Sequence, residues 1–151
     1  MKSPDVVSTL RRNLLSGVAA LVAAPWSYAA NKTLTIGQVA SLSGSNGADL
    51  GLGLKLGVEA CFQSVNATGG VRGQTLRLLS KDDRYIPDET LRLTRELLEQ
   101  DRPVALIGYR GTANTLALIR SNLLVQQGIT LVGTLTGAKE VQGAPGVLFH
   151  F

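Results

Sequence analysis

The sequence predicts an α/β fold in which a parallel sheet carries helices on both faces. Short extended apolar segments alternate with stretches whose apolar residues recur every three or four positions. At this spacing, successive strands are joined by helical crossovers, which are right-handed and lay the strands parallel. The 151 residues allow one compact core, since a domain takes roughly 150. With 44% apolar and 17% charged residues and 17 glycines lacking a three-residue period, a disordered tail and a collagen-like fibre are excluded. Aromatic content of 5% argues against a nucleic-acid reader that stacks bases on aromatic rings.

Residues 1–29 read as an export signal. Lys2, Arg11 and Arg12 precede an apolar run from Leu14 to Ala24, and Ser27-Tyr28-Ala29 ends it with small residues where a signal peptidase cuts, placed after Ala29. The apolar run falls short of the roughly twenty residues a spanning helix needs. Leu10-Arg11-Arg12-Asn13-Leu14-Leu15 also resembles a twin-arginine signal. Three of the 15 basic residues and one of the 11 acidic ones belong to this segment, so the remaining 122 residues carry a net charge of +2. No basic cluster survives to follow a phosphate backbone, and no nucleic-acid partner is expected.

The elements follow in order. Thr33 to Leu42 is the first strand, ended by Ser43-Gly44-Ser45-Asn46-Gly47. Leu50, Leu54, Val58, Cys61, Phe62 and Val65 mark one face of a helix from about Asp49 to Asn66. Gly51, Gly53 and Gly57 weaken that helix and are read as close-packing points against the sheet, with Cys61 in the core. Thr75 to Ser80 is the second strand, and Pro87-Asp88-Glu89 opens a second helix through Gln100 with acids at its positive end. Val104 to Ile107 is a short buried strand. A third helix runs from Thr112 or Asn114 to about Gln127, where Gly128 stops it. Ile129 to Val132 is the fourth strand, Thr134 to Glu140 a loop with about one helical turn, and Val147 to Phe151 the start of a fifth strand.

In an open parallel sheet, ligands bind outside the carboxyl ends of the strands. Those ends lead into Ser41–Gly47, Asp82–Tyr85, Gly108–Thr112 and Gly133–Gly137. Three of the four are rich in hydroxyls and glycine, which suits a small polar ligand. Thr112 opens a helix, where a hydroxyl and neighbouring amides favour a carboxylate or phosphate; the alternative is that it merely caps that helix. A dinucleotide-binding enzyme domain is disfavoured, because the first strand is not followed by G-x-G-x-x-G. Lone His150 reads as structural, and no metal site, catalytic triad or cofactor is expected.

Several segments carry a resemblance. Leu42-Ser43-Gly44, the turn Asn66-Ala67-Thr68-Gly69-Gly70-Val71-Arg72-Gly73, Asp82-Asp83, Ala105 to Thr115 (ALIGYRGTANT) and Thr134 to Ala138 (TLTGA) resemble the leucine/isoleucine/valine-type periplasmic solute-binding proteins of ABC importers. The resemblance implies a type I periplasmic-binding-protein fold, with residues 30–151 expected to form the first, N-terminal lobe, truncated before the second lobe. It implies a non-enzymatic binder that presents an amino acid or similar small carboxylate to an ABC-importer permease in the inner membrane, from the periplasm. A ligand-sensing domain on the same fold is the alternative. By position, Thr112 matches the hydroxyl residue that binds the ligand carboxylate, and Leu135 and Gly137 match loop positions that meet the ligand. Thr136 is placed to supply the hydroxyl that Gly137 lacks, and Tyr109 either faces the cleft or packs on a neighbouring loop. Ser43, Thr112 and the residues near Leu135 are expected to converge on one rim. Members of the family often place an aromatic residue around Gly47 to Leu50, where this chain has none. One lobe alone leaves the site wet, so weak binding and an exposed apolar face are expected.

Overall fold

The computed structural model describes residues 32–150; the export signal read in residues 1–29 lies outside the described residues. The elements are β1 (Thr33–Ala40), α1 (Ala48–Ala67), β2 (Thr75–Asp82), α2 (Pro87–Gln100), β3 (Ala105–Ile107), α3 (Thr112–Arg120), α4 (Leu123–Gln127), β4 (Leu131–Thr134), a 3-10 turn (Lys139–Val141) and β5 (Val147–His150). All pairings are parallel, in the order β2-β1-β3-β4-β5. The expected α/β architecture is present, and it brings every strand's carboxyl end to one edge.

The two faces of the sheet differ. Register places Gly37 beside Leu106 and Leu106 beside Leu131, so with Val39 these residues share a face. That face packs on Leu93 and Leu97 of α2 and Leu118 of α3, and Val39, Leu97, Leu106, Leu118 and Leu131 are fully buried. Gly37 leaves room for α2: a Cβ there would lie 2.3 Å from Leu97 Cδ2. On the opposite face Ile36, Ile107 and Val132 line a small cavity together with Phe62 of α1, and α1 packs chiefly on β2. Between α1 and the end of β3 an open groove of about 460 Å³ is lined by Leu50, Leu54, Val58, Phe62, Ile107 and Leu135.

Three expectations about the helices are corrected. Of the glycines in α1, only Gly51 is a close-packing point: a Cβ there would fall 1.7 Å from the carbonyl oxygen of Ser41, whereas Gly53 and Gly57 face open space. Cys61 is exposed rather than in the core, because the apolar stripe of α1 borders the groove instead of closing on the sheet. The single third helix is two. Asn122 adopts the left-handed conformation (φ 58°), while Ser121 Oγ donates to Leu118 O and accepts from Leu123 N, so the hydroxyl ends one helix and starts the next.

These contacts separate two glycines that look alike in sequence. Gly51→Ala is expected to destabilise the fold by about 2 kcal/mol, since a backbone carbonyl cannot step aside. Gly53→Ala is expected to stabilise it by roughly 0.5–1 kcal/mol through helix propensity alone. Urea denaturation of the two variants checks this; equal effects would contradict the packing described.

Candidate functional site

The site forms where the β3–α3 and β4 loops continue side by side past the strands. Leu135 N–H donates to Tyr109 O (2.9 Å) and Gly111 N–H donates to Leu135 O (3.1 Å), with Arg110 and Leu135 bridged in parallel. This extension of the ladder sets Thr112 beside Thr136, their hydroxyl oxygens 2.9 Å apart. Thr136 is buried and its Oγ1 accepts the Ala138 amide proton (3.2 Å). When Thr136 then donates to Thr112, the Thr112 proton is left to point outward. Thr112 itself is exposed.

Thr112 does not cap its helix. The cap is Gly111 (φ 92°), with no side-chain hydrogen bond. Thr112 is the first helical residue, so the Thr112, Ala113 and Asn114 amides have no acceptor within the helix. Gly111 is required here by conformation and by space, since a Cβ would lie 2.6 Å from the Tyr85 ring. A hydroxyl beside an uncapped helix N-terminus is suited to an anionic oxygen.

Two carboxylates brace this edge from β2. Asp82 accepts from Leu42 N–H (2.8 Å), Arg84 N–H (3.0 Å) and the Ser43 hydroxyl. Burial pushes its carboxyl up, but the hydrogen bonds from Ser43, Leu42 and Arg84 outweigh this and hold it below its ordinary value. Asp83 is buried and accepts from Tyr85 N–H (2.8 Å), Thr90 Oγ1 (2.6 Å) and Asn114 Nδ2 (3.2 Å). It thereby ties the β2–α2 loop to the first turn of α2 and the start of α3. Over the same edge lies Arg110, whose Nη1 donates to Gly47 O (3.1 Å) and whose guanidinium stacks 4.7 Å from the centre of the Tyr85 ring. Among the described residues no three metal-ligating side chains gather.

The sequence profile of the family described as periplasmic binding protein matches residues 33–151. The chain belongs to this family. It is similar to a substrate-binding periplasmic protein from Ralstonia solanacearum (37% identity, TM-score 0.73, covering 76% of this chain and 32% of that one). It is also similar to a possible leucine/isoleucine/valine-binding protein from Rhodopirellula baltica (28% identity, TM-score 0.68, 74% and 30%). A 60-residue stretch is 27% identical to an amino acid binding protein of Pseudomonas aeruginosa, covering 40% of this chain and 16% of that one. The chain therefore spans about a third of these solved structures and less of the Pseudomonas relative.

Within this type I periplasmic-binding-protein fold, the expected site residues divide into groups. Thr112 and Thr136 touch each other at the rim. Gly137 is exposed beside them, with open space where a side chain would stand. Ser43 lies on the same strand-end edge, but its hydroxyl proton is taken by Asp82, so toward a ligand it offers only lone pairs. The backbone N–H of Leu135 is consumed by the ladder and its side chain lines the apolar groove. Tyr109 does not face the cleft: it is fully buried and its hydroxyl pairs with Thr94 Oγ1 at 2.9 Å, because burying the ring is compatible with satisfying its polar tip. Sequence reasoning missed Arg110 and Tyr85 as rim residues; their contact joins loops 25 residues apart and leaves no local pattern.

Asp82 makes a pH-dependent prediction. Its folded-state carboxyl titrates below the ordinary 3.8, so its stabilisation is complete above the ordinary range and is lost as pH falls through the lower folded value. The stability gap between the wild-type chain and Asp82→Asn, measured by urea midpoints, is expected to shrink from about pH 6 to about pH 2.5. A constant gap would contradict the hydrogen bonds assigned to the carboxylate.

Proposed function

We propose that this chain is the ligand-gripping lobe of an extracytoplasmic solute-binding protein, which takes an amino acid or similar small carboxylate and presents it to an ABC-importer permease. The observation that carries this reading is the Thr112–Thr136 hydroxyl pair beside the uncapped N-terminus of α3. A carboxylate seated there accepts from the Thr112 hydroxyl and from free amide protons, and the partial positive charge of the helix end favours it. Family membership supports the reading, as do relatives named for binding amino acids. Periplasmic residence follows from the same reading, with the export signal cleaved near Ala29.

The test is calorimetric titration of the chain with L-leucine, benzoate and glutarate. At least one is expected to bind, and Thr112→Ala is expected to weaken it by about tenfold or more, as for a hydrogen bond to a charged group. Thr112→Ser is expected to retain most of the affinity. Unchanged binding by Thr112→Ala would remove the site assignment, and no binding of any probe by the wild-type chain would remove the functional one.

A further inference from the structure

Arg110 is held by loop contacts and, among the described residues, forms no ion pair. It leaves the β3–α3 loop two residues before Thr112 and reaches to the β1–α1 loop, where Nη1 donates to Gly47 O (3.1 Å) and, at 3.4 Å, to Asn46 O. The Tyr85 ring packs against its guanidinium. Any side chain at Gly47 would collide with the guanidinium, since a Cβ there would lie 2.4 Å from Nη2. Three loops thus hold the side chain, so most of the rotamer entropy of an arginine has been given up before any ligand arrives.

The charge that these contacts hold is not neutralised. Among the described residues, no carboxylate lies within salt-bridge distance of Arg110. Asp82 and Asp83 on the same edge are committed elsewhere, Asp82 to Leu42, Ser43 and Arg84 and Asp83 to Tyr85, Thr90 and Asn114, and Asp49 in the first turn of α1 forms no salt bridge with Arg110. The partners of the guanidinium all sit on Nη1, and Nε and Nη2 have no acceptor among the described residues. Two residues further along the chain α3 begins, with no acidic residue in its first turn. Two centres of positive charge on one edge favour an incoming anion and disfavour an incoming ammonium group.

We propose that Arg110 is the specificity-determining residue of this rim, selecting ligands of net negative charge, organic acids without an ammonium group, over zwitterionic amino acids. The inference rests on the carboxylate-binding reading above and narrows its ligand class. Thr112 and the α3 amides take the carboxylate, and the uncompensated guanidinium on the same edge favours the ligand's negative charge.

The test compares the wild-type chain with Arg110→Gln and Arg110→Lys in titrations with benzoate, glutarate and L-leucine, alongside urea midpoints without ligand. Expected are binding of benzoate or glutarate at least tenfold tighter than of L-leucine, loss of that preference in Arg110→Gln, and its partial return in Arg110→Lys. Raising the salt concentration is expected to weaken acid binding by the wild-type chain more than by Arg110→Gln. If Arg110→Gln and Arg110→Lys lower the urea midpoint equally, while only the lysine keeps the preference for acids, charge and not bracing is responsible. Equal affinities of the wild-type chain for acids and L-leucine, or an unchanged preference in Arg110→Gln, would overturn the role of Arg110 and leave the carboxylate site standing. Failure of the wild-type chain to bind any of the three would overturn both.

Discussion

The ladder between β3 and β4 does not stop where the strands do, and the site depends on that continuation. Two backbone hydrogen bonds beyond the strand ends, Leu135 N–H to Tyr109 O and Gly111 N–H to Leu135 O, fix the loops in parallel register. They deliver Thr112 to Thr136 and turn the chain into α3 at Gly111. Backbone pairing of this kind carries no side-chain signature, yet it decides which hydroxyls meet. The buried Asp83 secures the arrangement from below through Thr90 and Asn114, and a carboxylate so satisfied costs less to bury than an unpartnered one.

The alternation of strand and helix periods was enough to read the architecture, because one buried face per strand and one apolar stripe per helix leave few other solutions. Thr112 was legible as a candidate through its place at the start of a helix after β3, as was its alternative role as a cap, and the geometry of Gly111 removes only the capping role. Tyr109 and Leu135 show the limit. Both sit in the right loops, but the ring of Tyr109 turns into the core and the amide of Leu135 is spent on the ladder. Arg110 and Tyr85 show the converse: their stacking arises from sheet order, with β1 lying between β2 and β3, and nothing local in the sequence announces it. The glycines of α1 repeat the point, since Gly51 meets a carbonyl and Gly53 meets nothing.

The two faces of the sheet divide the labour. One is closed by α2 and α3 over fully buried leucines and holds the loops rigid from beneath. The other is closed by α1 only in part, leaving an apolar groove that Leu135 borders with its side chain while its backbone serves the rim. The Thr112–Thr136 rim lies beside water, where hydrogen bonds contribute less than enclosed ones.

The most direct measurement is an amide nitrogen–proton correlation spectrum of the isotope-labelled chain titrated with benzoate. Saturable shifts are expected at Thr112, Ala113 and Asn114 and at Thr136, where the free amide protons and the hydroxyl pair meet the carboxylate. Shifts confined to residues 50–62 and Ile107 would place the ligand in the apolar groove and contradict the assignment of the rim as the binding site.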